Sequence, residues 1–256
     1  LLPEYRNEAW KLLSADVAKL DGCIAPSHYF GEFMADRLGL DEQMVRHHPN
    51  GITLKGFEPE KVPPATPAIG FLARLCPLKG LDILVDAFLL LKETGEFPDL
   101  CLEIAGGMTA EDEPFVDEQR RKLTQAGLND CSRIRPNIDR DDKLDFLKKL
   151  SIFSVPARYP EAFGLYVIEA LAAGVPVVLP ESGAFPELVE QTQGGRIFQP
   201  NKPIILAETL QTLLKNPDQT KSMGLTGHES VSRDFSNEQL AKRLVDNILA
   251  PLQERT

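Results

Sequence analysis

The segment Glu161-Ala-Phe-Gly-Leu-Tyr-Val-Ile-Glu169-Ala-Leu-Ala-Ala-Gly174-Val-Pro-Val-Val178 runs from a loop through a short helix into a buried strand. Its spacing places Glu161 in the loop and Glu169 within the helix. Between them, Phe163-Gly164-Leu165 begins the helix, where backbone N–H groups lack partners and the helix dipole is positive. Such an end binds anions. Carboxylates that accept hydroxyl protons beside a phosphate-sized anion site indicate a nucleotide-sugar pocket.

Short apolar strands alternate with helices on both sides of this segment, which predicts an α/β fold. The expected sheet is doubly wound, mostly parallel and Rossmann-like, with ligands at the carboxyl ends of its strands. Strands are predicted over 68–73, 100–105, 133–135, 152–155, 175–179 and 195–198. Helices are predicted over 80–92, 111–126, 141–149, 164–173, 184–190, 204–214 and 237–252.

The first fifty residues are predicted to be mainly helical, with one short buried strand over 23–27. Ser27 is placed to cap a helix over 29–38, and Gly39 fits the end of that helix. A turn at 48–51 and a proline-rich link (Pro59, Pro63, Pro64 and Pro67) then precede the regular alternation.

Composition excludes several classes of function. The formal charge of −10 argues against non-specific binding to nucleic acid or to an anionic membrane. No apolar run approaches the roughly 20 residues of a membrane-spanning helix. Four widely spaced cysteines form no zinc or disulfide pattern, which favours a reducing, cytoplasmic location. Because the chain begins Leu1-Leu2-Pro3 without methionine, we expect a fragment of a longer protein.

A second candidate anion site lies in the loop after the strand over 68–73. Arg74 and Lys79 could together neutralise a diphosphate, although a solvated loop with incidental cations explains them equally well from spacing alone. Gly106 follows another strand and would let the backbone approach a ligand. The sequence lacks both G-x-G-x-x-G and the P-loop motif, which argues against a nicotinamide or flavin dinucleotide site and a P-loop ATPase.

Other polar residues admit simpler interpretations. Glu161 could merely favour the helix dipole and Glu169 could be solvated, yet Glu169 lies in an otherwise apolar helix, where a carboxylate needs a partner. The run 111–113 is interpreted as a solvated helix start. The histidines form no metal cluster, so no metal site is predicted.

These motifs together resemble the group 1 glycosyltransferases, family GT4. The resemblance rests on Glu161-x7-Glu169 with its following helix and strand, on Arg74-x4-Lys79-Gly80, and on 50–51 and 182–189 in the same order. It implies the GT-B fold of two Rossmann-like domains and retaining transfer from a nucleotide donor, with a UDP-sugar favoured. No cofactor and no metal are implied.

The resemblance also implies residue roles. Arg74 and Lys79 would hold the diphosphate together with the N–H groups of Gly164 and Leu165. Glu161, the candidate catalytic residue, would contact hydroxyls of the donor sugar, and Glu169 would contact the ribose.

Three segments are expected from the resemblance. Residues 1–52 would be a remnant of the N-terminal acceptor-side domain and its linker. Residues 53–235 would form the nucleotide-sugar-binding domain, and 236–256 the helix that crosses back. A sugar or lipid acceptor would bind mainly to the absent domain, so we expect this chain alone to be inactive.

Two departures from the family pattern matter. Arg135-Pro136-Asn137-Ile138 replaces a glycine-containing loop near the base, and Ala157-Arg158 replaces a small hydroxyl residue before Glu161. A GT-B nucleotide-sugar epimerase and a non-catalytic nucleotide-sugar-binding module stay open as alternatives.

Overall fold

A computed structural model describes residues 3–17, 19–60 and 66–250. Leu1, Leu2, Pro63, Pro64 and the end of the predicted tail helix lie outside the described residues. Within them the chain forms a two-stranded sheet followed by a six-stranded sheet covered by helices.

The first part of the chain contains helix α1 (Pro3–Val17), strand β1 (Cys23–Ala25), helix α2 (His28–Leu38) and strand β2 (Val45–His47). Strands β1 and β2 pair in parallel, and β2 was not predicted. The Ser27 hydroxyl accepts a hydrogen bond from the N–H of Phe30, and Gly39 ends α2 in the left-handed conformation. Both predicted caps are therefore confirmed.

The remaining elements alternate between strands and helices as predicted, apart from one additional helix before the last one. They are β3 (Ala68–Leu72), α3 (Leu81–Glu93), β4 (Cys101–Gly106), α4 (Glu113–Gln125), β5 (Ser132–Pro136), α5 (Arg140–Lys148), β6 (Ile152–Ser154), α6 (Leu165–Ala172), β7 (Val177–Pro180), α7 (Phe185–Thr192), β8 (Gly195–Phe198), α8 (Pro203–Leu214), α9 (Pro217–Asp234) and α10 (Asn237–Leu244). A π-helical turn, Val245–Leu249, continues α10.

All six strands of the large sheet are parallel, in the order β5-β4-β3-β6-β7-β8. The strand order reverses between β3 and β6, which makes this pair the switch point where open α/β sheets bind ligands. Every residue of β3, β6 and β7 is buried, as expected for central parallel strands covered on both faces. The predicted Rossmann-like fold is confirmed.

Helix α9 is the largest element that the sequence did not predict. Its polar, glycine-containing sequence has low helix propensity, but the glycines allow close packing. A Cβ at Gly224 would lie 2.1 Å from the carbonyl oxygen of Gly174, and one at Gly227 would lie 2.9 Å from Cα of Gly194. The backbone of α9 therefore approaches the loops beside α6 and β8, and tertiary contact overrides local preference.

Candidate functional site

Two loops meet at the switch point between β3 and β6. Gly80, at the end of the loop after β3, has a φ of 74°, and a Cβ there would lie 2.0 Å from the carbonyl oxygen of Pro156. The N–H of Arg158 donates to the carbonyl oxygen of Leu78 at 2.9 Å. These contacts bring the loop that carries Lys79 against the loop that carries Glu161.

Arg158 strengthens this junction. Its guanidinium binds the carboxylate of Asp82, at the start of α3, through two hydrogen bonds of 2.7 and 2.6 Å. The unusual arginine before Glu161 thus clamps the loop after β6 to the helix that follows β3.

Lys79 and Glu161 form an ion pair at the centre of the site. The Lys79 ammonium donates to Oε1 of Glu161, and the hydroxyl of Tyr166 donates to the same oxygen at 2.8 Å. The two charged side chains are 16% and 11% exposed, so the pair is largely withdrawn from water. The Lys79 ammonium also lies 4.8 Å from the ring centroid of Tyr159 and 5.3 Å from that of Tyr166.

This environment keeps Lys79 charged. Burial by itself lowers the pKa of Lys79, but the hydrogen bonds to Glu161 and Tyr159 outweigh burial, and the pKa is raised. Burial, together with the negative charge of Glu161, raises the pKa of Tyr166 well above its ordinary value. Tyr166 therefore stays a neutral hydroxyl donor while Lys79 stays a cation.

Arg74, the other predicted phosphate ligand, is held by a different carboxylate. Its Nε and a terminal nitrogen each lie 3.2 Å from the carboxylate oxygens of Asp112. The Asp112 carboxylate also accepts hydrogen bonds from the N–H and hydroxyl of Thr109, at 2.9 and 2.8 Å. Of the run interpreted as a solvated helix start, Glu111 and Glu113 are exposed, but Asp112 is buried, so the interpretation is wrong for that residue. The Arg74 side chain remains half exposed and can reach a ligand.

The start of α6, the predicted anion site, is open to solvent. Gly164 precedes the helix with a φ of 106°, a conformation that favours glycine. Leu165 is 46% exposed, so the first turn opens towards solvent. Phe163, in contrast, is buried and packs against Phe235. The described contacts place Glu161, Gly164 and Tyr166 within one loop and the helical turn that follows it.

The Glu161 loop is held in place from behind. Gly183 packs so closely that a Cβ there would lie 2.4 Å from the backbone N and O of Glu161. The N–H of Ala184 donates to the Glu161 carbonyl oxygen at 2.9 Å. The Ser27 hydroxyl donates to the carbonyl oxygen of Ala162 at 2.6 Å, which connects the first part of the chain to the site.

Glu169 has the partner that its apolar helix requires. Lys143, on α5, lies 2.6 Å from Oε1 of Glu169, with both side chains mostly buried. The presence of a carboxylate in an apolar helix indicated that a partner was needed. Nothing in the sequence identified Lys143, because α5 and α6 are brought together only by the fold.

Gly106 has a structural explanation as well as a predicted ligand role. A Cβ there would lie 1.7 Å from the carbonyl oxygen of Ala73, so the loop after β3 packs directly on it. Nearby, Asn137 adopts a φ of 56° and its amide group bonds both the N–H and the carbonyl oxygen of Met108. The unusual 135–138 loop is thus fastened to the end of β4. Ligand contact by Gly106 stays a prediction.

The structure brings together Lys79, Glu161 and the start of α6, and it adds Tyr159 and Tyr166, which sequence reasoning missed. It ties Arg74 to Asp112 and Glu169 to Lys143, so each of the four predicted charged ligands has an ion-pair partner. Among the described residues, no group of three or more histidine, cysteine or acidic side chains could hold a metal. No described helix is both long and apolar enough to cross a membrane.

The chain is similar in sequence and in fold to proteins of known family. Residues 55–229 match the family "Glycosyl transferases group 1". The chain is 32% identical over 158 residues to a D-inositol 3-phosphate glycosyltransferase of Streptomyces coelicolor, covering 60% of this chain and 34% of that protein. It is 27% identical over 253 residues to the lipopolysaccharide core mannosyltransferase LpsB of Rhizobium meliloti, covering 94% and 68%.

Among solved structures, Anabaena HepE in complex with UDP and glucose superposes with a TM-score of 0.77 at 21% identity, covering 93% of this chain and 66% of HepE. The fold is therefore that of the GT-B glycosyltransferases. The chain belongs to the group 1 glycosyltransferase family. It spans about a third to two thirds of the length of the relatives compared here.

Proposed function

We propose that this chain is the donor-binding part of a retaining GT4 glycosyltransferase, which transfers a sugar from a nucleoside-diphosphate sugar to an acceptor. The observation that carries the proposal is the Lys79–Glu161–Tyr166 cluster beside the start of α6, at the switch point of the sheet. A cation, free helix N–H groups and a carboxylate there match the parts of a sugar diphosphate.

In this proposal, Arg74 and Lys79 bind the diphosphate, and the first turn of α6 supplies N–H donors. The same groups stabilise the negative charge that grows on the leaving diphosphate during transfer. They act in a half-buried setting, where electrostatic interactions are stronger than in water. No metal is required for this chemistry.

Binding would rearrange the ion pairs. When the diphosphate engages the Lys79 ammonium, the Glu161 carboxylate becomes available to accept hydrogen bonds from donor-sugar hydroxyls. Tyr166 continues to donate to Glu161 and keeps its orientation. Glu169, neutralised by Lys143, would accept hydrogen bonds from the ribose hydroxyls.

The relatives support a nucleotide donor without identifying the base. The HepE structure contains UDP and glucose, and another relative, from Mycobacterium tuberculosis, is a GDP-mannose-dependent mannosyltransferase. We favour a UDP-sugar. The sugar or lipid acceptor is proposed to bind to a part of the protein outside this chain.

Calorimetry with UDP, GDP, ADP and their sugar conjugates tests the proposal. We expect nucleotides with one of the three bases to bind. Arg74→Ala or Lys79→Ala should weaken the affinity for that nucleotide by roughly 10- to 150-fold, because each removes about one charge-assisted hydrogen bond. Lys215→Ala, in an exposed ion pair away from the site, is the control. No binding of any nucleotide by the folded chain would contradict the proposal.

A second comparison separates the two glutamates. Glu169→Ala is expected to weaken UDP and UDP-sugar equally, because both carry the ribose. Glu161→Gln is expected to weaken mainly the sugar conjugate. An equal effect of Glu161→Gln on UDP and UDP-sugar would exclude the sugar role.

Assays on a longer form of the protein distinguish the two alternatives, an epimerase and a non-catalytic binding module. An epimerase would convert the sugar of the donor without acceptor, which NMR spectroscopy of a longer form of the protein would detect. A binding module would bind the donor but not transfer it when that longer form is given acceptors. We expect the 256 residues alone to bind donor without transferring it.

A further inference from the structure

Two cysteines lie at the same end of the large sheet: Cys101 is the first residue of β4, and Cys131 ends the 3₁₀ turn Asn129–Cys131 directly before β5. Leu102 and Ser132 are paired Cα partners in the parallel ladder, and Cys101 and Cys131 immediately precede them. Neighbouring strands lie about 4.8 Å apart. That separation falls within the range of about 4.4 to 6.8 Å between Cα atoms of disulfide-bonded cysteines.

Both thiols lie on the same face of the sheet. Side chains alternate along a strand, so Cys101 shares a face with Glu103. Cys131 ends the 3₁₀ turn Asn129–Cys131 directly before β5, in which Arg133 is the Cα partner of Glu103. These four side chains line one cavity of about 400 Å³. Each cysteine is partly exposed there and carries a free thiol. The shared cavity therefore places the two cysteines on the same face of the sheet.

Each thiol donates a weak hydrogen bond to a backbone carbonyl in the segment that precedes its strand. The Cys101 thiol donates to the carbonyl oxygen of Asp99 at 3.7 Å, and the Cys131 thiol to that of Leu128 at 3.5 Å. Hydrogen bonds from sulfur are weak, so rotation of either side chain towards its neighbour costs little.

We propose that Cys101 and Cys131 form an oxidisable dithiol site, which closes to an intramolecular disulfide in the presence of a small-molecule disulfide such as oxidised glutathione. One thiolate attacks a sulfur of the external disulfide and expels one thiolate from it. The second cysteine, after losing its proton to solvent, attacks the protein sulfur of the mixed disulfide and expels the other. Two protein thiols are oxidised, and the external disulfide is reduced to two thiols.

The charges around the pair set its pH dependence. The pKa of the Cys101 thiol is raised, mainly by burial and to a smaller extent by Cys131 and Glu103. The positive charges of Lys92 and Arg133 lower this pKa and offset part of the increase. Asp130 and Lys149 also line the cavity. Because only the thiolate attacks, oxidation should accelerate as pH rises from 7 to 9.

The disulfide would act on the edge of the sheet. Strand β5 is the outermost strand and pairs only with β4 within the large sheet. A covalent link at their amino ends restricts separation of β5. Gly106 and the candidate nucleotide site lie at the carboxyl ends of the strands, whereas the two cysteines lie at the amino ends. Nucleotide binding should therefore be unaffected by the disulfide.

Peptide mapping of the whole chain after treatment with oxidised glutathione tests this proposal. We expect one cross-linked peptide joining Cys101 to Cys131, a fall from four free thiols to two, and an increase in Tm that dithiothreitol reverses. The internal thiol has an effective concentration on the order of millimolar, so little mixed disulfide should accumulate. Cys23 and Cys76 serve as internal controls.

Single variants and an independent probe make the outcome decisive. Cys101→Ser and Cys131→Ser should each retain a stable mixed disulfide at the remaining cysteine and lose the increase in Tm. Phenylarsine oxide, which bridges neighbouring thiols, should protect both Cys101 and Cys131 of the wild-type chain from alkylation. It should not protect the one cysteine of the pair that remains in each variant. Mixed disulfides without closure, links between chains, or unprotected thiols would overturn the proposal.

Discussion

The Lys79–Glu161 pair provides the sharpest test of the site. Lys79→Met removes the cation and keeps most of the side-chain length. Glu161 would then stay buried with tyrosine hydroxyls as its neutral donors, Tyr166 at 2.8 Å together with Tyr159. Removing one partner of a buried ion pair costs roughly 3 to 5 kcal/mol. Since Tyr166 offsets part of this cost, we expect a loss of about 3 kcal/mol.

Thermal unfolding measures this loss. For a chain of this size each kcal/mol lowers Tm by roughly 2 to 4 °C, so Lys79→Met should lower it by about 6 to 12 °C. Adding Glu161→Gln removes the unpaired charge and should restore most of the decrease. Lys215→Met is the matched control, because the Lys215–Glu96 pair is about half exposed (49% and 45%). Its loss should be about 1 kcal/mol or less.

The pH dependence of stability is a second test of the Lys79–Glu161 pair. The pKa of folded Lys79 is raised above 10.5, so its contribution is complete below pH 10.5 and is lost as pH rises through the folded pKa. On the alkaline side, the difference in stability between wild type and Lys79→Met should therefore begin to decrease only above pH 10.5. A Tm decrease no larger than that of Lys215→Met, or no recovery in the double variant, would refute the buried-pair reasoning.

Three further predictions follow from other contacts at the site. Gly80→Ala should cost roughly 1 to 3 kcal/mol more than Gly95→Ala, because both have positive φ but only Gly80 faces a close backbone atom; equal losses in urea unfolding would contradict this. The N–H of Thr109 and an arginine partner lower the pKa of Asp112, so its contribution is lost only as pH falls through the folded pKa, below 3.8. Asp112→Asn should accordingly reduce the acid dependence of Tm, and an unchanged acid limb would argue against this carboxylate. Ser27→Ala should cost about 2 kcal/mol, because it removes a helix cap and leaves a carbonyl without its donor; a loss below that of an exposed serine variant would show that the hydroxyl is dispensable.

Departures from the family pattern were visible in the sequence, but their structural roles were not. Arg158 and Asn137 both fasten loops at the carboxyl edge of the sheet, one through Asp82 and the other through the backbone of Met108. In both cases the hydrogen bonds of the side chain hold the loop. The partners lie in other parts of the chain, so spacing alone could not reveal them.

Local pattern was sufficient for the order of the six strands of the large sheet and of the helices between them. Apolar runs of five or six residues predict buried strands, and the alternation with amphipathic helices predicts a parallel sheet. It also placed Arg74, Lys79 and the start of α6 in loops that follow strands. Helix α9 was missed because its glycines lower helix propensity, and only packing against neighbouring backbone compensates for them.

The sequence by itself thus determined the fold class, the positions of the two candidate anion-binding loops and the likeness to group 1 glycosyltransferases. Only the tertiary structure decided which charges meet. The strand order places β3 beside β6, although 79 residues separate their last and first positions, and so pairs Lys79 with Glu161. The tertiary structure likewise provides Asp112 as the partner of Arg74, Lys143 as the partner of Glu169 and Tyr166 as a donor to Glu161. It also brings Cys101 and Cys131 to one cavity. Contacts between distant parts of a chain depend on how its elements pack, which no local pattern of residues contains.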